Sequence, residues 1–120
     1  MTMRQFDKTH AITLVAAVAL EQYRFVSYAG GVPVASGAGG ATDVAGVTEF
    51  AAAAGEAVSA VTGYSYLVET GAGITAGQFV KPGANGVAVV GSITDNCGRA
   101  LTTAASGALC EVKLQNHVHP

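Results

Sequence analysis

The sequence has no tryptophan, only two cysteines and three prolines, and little charge: six basic and eight acidic residues in 120. Each shortage excludes something. Two cysteines are too few for a disulfide-built scaffold or a multi-cysteine zinc site. Cys97 and Cys110 therefore read as small buried apolar side chains in a reducing compartment, with a single bridge between them left open. Six scattered basic residues and a formal net charge of −2 offer no cationic footprint for nucleic acid. No apolar run reaches the roughly 18 to 20 residues that span a bilayer, so a membrane is not an expected partner either. The run AITLVAAVAL behind Arg4 and Lys8 imitates a secretion signal, but it is short and Asp7 stands in its leader.

The charged share of 12% is about half of the roughly one quarter usual in soluble domains. A surface with so little charge is either rich in Gly, Ala, Ser and Thr or covered by further copies or a larger assembly. The apolar residues are mostly alanine and valine, with 16 glycines among them, and 120 residues make one domain.

What is present is a duplication. Phe25-Val26 leads through Gly30-Gly31 to Gly-Val-Pro-Val (31–34), and Phe79-Val80 leads through Asn85-Gly86 to Gly-Val-Ala-Val (86–89). Each is followed by Asp-x-x-Gly-x5-Ala-Ala-x-Gly: Asp43, Gly46, Ala52, Ala53 and Gly55 in the first half, Asp95, Gly98, Ala104, Ala105 and Gly107 in the second. The alignment also sets Leu20 against Ile74, so the apolar run belongs inside repeat one and a cleaved leader would cut into it. Asn-Gly between Val-rich runs is a hairpin signal, because both residues tolerate the left-handed region. Strands are therefore expected at 25–26 with 32–34, at 79–80 with 87–90, and at 56–62 and 108–114. EFAAAAGEAVSAV could start a helix, but Gly55 argues for a short loop or one helical turn before its strand. Pro82 belongs in a loop or at a strand edge.

The expected fold is all-β: a compact barrel or sandwich-like domain of about eight short strands, built from two duplicated β units, with an extended N-terminal arm. The arm is residues 1–13 and the domain 14–120, with repeat one at about 14–62 and repeat two at about 68–114.

Catalytic chemistry has little support. His10, His117 and His119 include one His-x-His pair, but no cysteine or further carboxylate lies near it in sequence. Asp43 and Asp95 sit at turn or loop-start positions. There is no Gly-x-Ser-x-Gly elbow, and SGAGGATD (36–43) lacks the Gly-Lys-Ser/Thr ending of a phosphate loop. No catalytic, cofactor or metal residue is expected, and no enzymatic activity. Tyrosine joins apolar area to a hydrogen-bonding tip, which suits interfaces. The candidate contact residues are Arg4 and Phe6 in the arm with Tyr28, Tyr64 and Tyr66, core packing being the other reading of the Tyr64-Ser65-Tyr66 alternation.

The second half resembles the capsid decoration, or cement, proteins of tailed bacteriophages. The elements that carry the resemblance are Ile74–Val80 (ITAGQFV), Asn85–Val90 (NGVAVV), Gly98–Leu101 (GRAL), Ala104–Gly107 and the closing Val112–Leu114, over about residues 44–114. The resemblance implies a β-rich virion protein on the capsid exterior, synthesised in the host bacterial cytoplasm. It would bind the major capsid protein as a homotrimer and stabilise the expanded shell, without cofactors. A carbohydrate-binding or adhesin-like β module is the alternative.

Overall fold

Both copies of the repeat fold into antiparallel sheets with the same strand order. The computed structural model describes residues 11–28, 32–34, 43–63 and 65–114. The first sheet contains β1 (Ala11–Val15), β2 (Phe25–Ser27), β3 (Val44–Thr48) and β4 (Ala57–Val61) in the order β1-β4-β3-β2. The second contains β5 (Ser65–Glu69), β6 (Phe79–Pro82), β7 (Ala88–Val90), β8 (Gly98–Ala100) and β9 (Leu109–Leu114) in the order β5-β9-β8-β6-β7. Thus β1, β2, β3 and β4 correspond to β5, β6, β8 and β9. The fold is all-β, with nine strands among the described residues where about eight were expected.

The correspondence extends to single residues. Phe25 faces Val47 across β2 and β3, and Val47 faces Val61 across β3 and β4; likewise Phe79 faces Arg99 and Arg99 faces Lys113. Leu20 and Ala52 exchange backbone hydrogen bonds of 2.8 and 3.0 Å, and Ile74 and Ala104 exchange two of 2.9 Å. The Ala-Ala-x-Gly element is a tight turn in both copies, closed by Glu56 N–H to Ala53 C=O and by Ala108 N–H to Ala105 C=O, with its glycine at positive φ. The Asp-x-x-Gly glycines serve a close approach instead. A Cβ at Gly46 would lie 2.6 Å from the Val61 carbonyl oxygen, and one at Gly98 closer still to that of Lys113. The aspartate of the same element ties the loop back to the Phe-Val strand: Asp43 accepts from the Ser27 hydroxyl, and Asp95 pairs with Lys81 at 3.3 Å.

The expected strands at 56–62 and 108–114 are β4 and β9, and the Asn85-Gly86 turn joins β6 to β7, with Asn85 and Gly86 both at positive φ. Pro82 is the last residue of β6, opposite Ala88. The expected strand at 32–34 shrinks to a bridge between Val26 and Pro33, with Val34 N–H to Phe25 C=O at 3.1 Å. Pro33 has no N–H to extend a ladder. The expected arm is corrected at its inner end: Ala11, Ile12 and Thr13 already pair with Val61, Ala60 and Ser59 of β4, so the first sheet claims them. Residues 1–10 lie outside the described residues, as do the Gly30-Gly31 turn, most of the 36–43 loop and all three histidines.

Two hydrophobic clusters fill the interior. The smaller belongs to repeat one: Ala16, Leu20, Val26, Ala52, Val58 and Ala60. The larger joins the repeats, because Phe25, Val47 and Val61 from the opposite face of the first sheet pack with Tyr66, Val68, Ile74, Val80, Val112 and their neighbours. A parallel bridge from Thr70 to Ala88 turns the second sheet toward closure around this cluster, the device by which small β-barrels hide an edge.

Cys97 and Cys110 are both buried in the larger cluster and unpaired. Burial pushes the Cys97 thiol up to about 12 and raises that of Cys110 as well. Because the thiolate is the nucleophile, Cys97 should resist alkylation at pH 8 in the native protein and react at once in denaturant, a difference read by intact mass. The raised thiol also contributes stability that is whole below the unfolded value of 9.0 and is lost as pH climbs from there toward 12.

Candidate docking surfaces

Of the five residues singled out from the sequence, Arg4, Phe6 and Tyr64 lie outside the described residues. Tyr28, just past β2, is 69% exposed and presents its ring to solvent. Tyr66 is corrected: at 5% exposure it is a core residue, tilted against Tyr23 with ring centroids 6.0 Å apart. Burial first, then the Glu49 carboxylate and Tyr23, hold its hydroxyl above the ordinary tyrosine value. Tyr66 packs in the cluster that also holds Phe25, Val47 and Val61 of repeat one, so its side of β5 turns inward.

The joint between the repeats carries a polar network centred on Arg24. Tyr23, at positive φ, offers its carbonyl to the Glu69 N–H of β5 at 2.9 Å. Arg24, its side chain only 12% exposed, reaches Glu69 at 3.2 Å and Glu21 at 3.0 Å and donates to the Asn85 carbonyl at 3.3 Å. Its Nε is buried without a partner. Beside it lies a recess of about 280 Å³ lined by Ala19, Glu21, Arg24, Pro33 and Asn85. Among the described residues that line it, the one cation, Arg24, already holds two carboxylates, so the recess reads as part of the joint. No group of three or more His, Cys, Asp or Glu side chains that could hold a metal occurs among the described residues.

The exposed apolar residues concentrate in a few places. Ile12, Val15 and Val18 lie on or just after β1, whose residues are exposed apart from the half-buried Leu14. Ile93 tips the turn between β7 and β8 and is 78% exposed. Among the described residues β1 is an edge strand, and it carries neither the charge nor the proline that commonly protects one. Neither Arg24 nor β1 was singled out from the sequence. The signal was there: at these positions the aligned copies differ, Arg24 against Gln78 and Val15 against Glu69.

No protein-family model matches the chain, and no curated protein matches it in sequence. In fold it is similar to the N base of the head fibre gp8.5 of bacteriophage phi29, a crystal structure, with a TM-score of 0.74 and 21% identity. The match covers 89% of this chain and 94% of that one, so the likeness takes in both repeats.

Proposed function

We propose that this chain is a structural protein of a phage virion that sits on the outside of the assembled head, contacts the major capsid protein as a homotrimer and stabilises the expanded shell. The observation that carries this reading is the fold shared, over nearly the whole chain, with the base of a phage head fibre. The sparse charge and the exposed apolar residues on β1 and at Ile93 fit a surface that docks on other protein. A protein that binds only the expanded lattice stabilises it by mass action, and a trimer that touches several shell subunits adds avidity to modest individual contacts. Two unpaired buried thiols suit synthesis in the reducing cytoplasm of a bacterial host. The role needs no catalytic group.

The test is co-sedimentation of the purified chain with empty shells of its own phage, before and after expansion. The chain should pellet at saturable stoichiometry with expanded shells alone and raise the temperature at which they rupture. A chain that stays in the supernatant with expanded shells refutes the reading.

A further inference from the structure

The two repeats are not related as equals. A two-fold relation would place β1 on repeat two just as β5 lies on repeat one. Instead β5 docks on the Tyr23 edge of repeat one, while its counterpart β1 is exposed. The joint is head-to-tail, and a head-to-tail joint leaves one unused half at each end. One unused half is β1, with Ile12 where β5 has Tyr66 and Val15 where β5 has Glu69. The other is the edge of repeat two equivalent to Tyr23, Arg24 and Phe25, which is Gly77, Gln78 and Phe79.

That second half is already occupied. The Gly77 carbonyl, counterpart of the Tyr23 carbonyl that receives β5, takes two hydrogen bonds from Arg99: Nε at 3.1 Å and Nη2 at 2.7 Å. The same guanidinium lies over the Phe79 ring, 4.6 Å from its centroid. Arg99 stands where repeat one has Val47, a buried contact of the joint. One side chain thus covers both the acceptor and the aromatic surface that a following unit would use.

We infer that the chain carries a latent head-to-tail joint for a second copy of itself, β1 of one copy against the Gly77–Phe79 edge of the next, and that Arg99 keeps it closed. The two halves match in charge. Where Arg24 pairs with Glu69 inside the chain, Gln78 would meet Val15, so no ionised group is stranded at that contact. Stacked repeats need a polar outer face at their ends to stay discrete, and Arg99 supplies it at one end. The joint links copies of this chain and does not depend on a capsid.

Arg99→Val tests it, restoring the residue of the equivalent position. Its mass by sedimentation should exceed that of the unaltered chain at least two-fold and grow with concentration, because a head-to-tail contact need not close. Arg99→Lys, which can still donate to the Gly77 carbonyl, should keep the original mass. Adding Ile12→Lys to Arg99→Val should return the mass to that value. As a second readout, Val15→Cys and Gln78→Cys on separate copies carrying Arg99→Val should form a mixed disulfide under a mild oxidant, the native cysteines being buried. A folded Arg99→Val chain of unchanged mass overturns the inference. So does growth that Ile12→Lys fails to reverse, or an absent cross-link. If Arg99→Val does not fold, Arg99→Thr carries the same expectations.

Discussion

Replacing Phe25 with alanine should destabilise the protein by about 3–5 kcal/mol, whereas the same change at Phe79 should cost about 1 kcal/mol. The two phenylalanines occupy the same place in the repeat, Phe25 opposite Val47 of β3 and Phe79 opposite Arg99 of β8. Phe25 is wholly buried in the cluster that joins the repeats, so truncation leaves a cavity bounded by both sheets. Phe79 is half-buried and loses mainly its contact with the Arg99 guanidinium. Urea unfolding of the two variants beside the unaltered chain measures the difference directly. Equal losses would mean that the repeats pack alike, and the head-to-tail description of the joint would be wrong.

Gly98→Ala should cost about 3 kcal/mol and lower the melting temperature by on the order of 10 °C. Gly98 begins β8, between β6 and β9, and its Cβ would press into the Lys113 carbonyl oxygen and the Val112 side chain. That oxygen belongs to the backbone of a paired strand, so it cannot swing aside as a side-chain tip would; the sheet must separate or β9 must bend. Gly73→Ala is the control. Nothing lies within 4 Å of its would-be Cβ, and alanine there should leave stability unchanged or raise it by about 0.5 kcal/mol by restricting the unfolded chain. Thermal melts of both variants decide the point. A Gly98→Ala protein that melts with the unaltered one would remove the close approach as the reason for the Asp-x-x-Gly spacing.

The repeat was legible because its elements are local. A turn that needs positive φ, an Asn-Gly hairpin and a strand glycine against a neighbouring carbonyl each require one residue type at one spacing, and the spacing survives in both copies. Alternation placed β9 well for the same reason. Val32 and Val34 have the apolar spacing of a strand, but Pro33 between them lacks the N–H donor that would extend a ladder. Tyr66 could not be assigned to core or surface from its own strand, since alternation says which side chains share a face and not what covers that face.

By itself, then, the sequence determined an all-β chain written twice, with its Asn-Gly and Ala-Ala-x-Gly turns and the strands beside them, because those follow from backbone conformation and hydrogen bonding over short stretches. Only the tertiary structure decided how the two copies meet. Phe25 and Phe79, Val47 and Arg99, Val61 and Lys113 are pairs that a repeat alignment treats as equivalent, yet the first of each pair is buried and the second is half-buried or exposed. Two like units joined head-to-tail cannot give both copies the same surroundings: the joint covers one face of repeat one and leaves the matching face of repeat two to solvent, where Arg99 closes it.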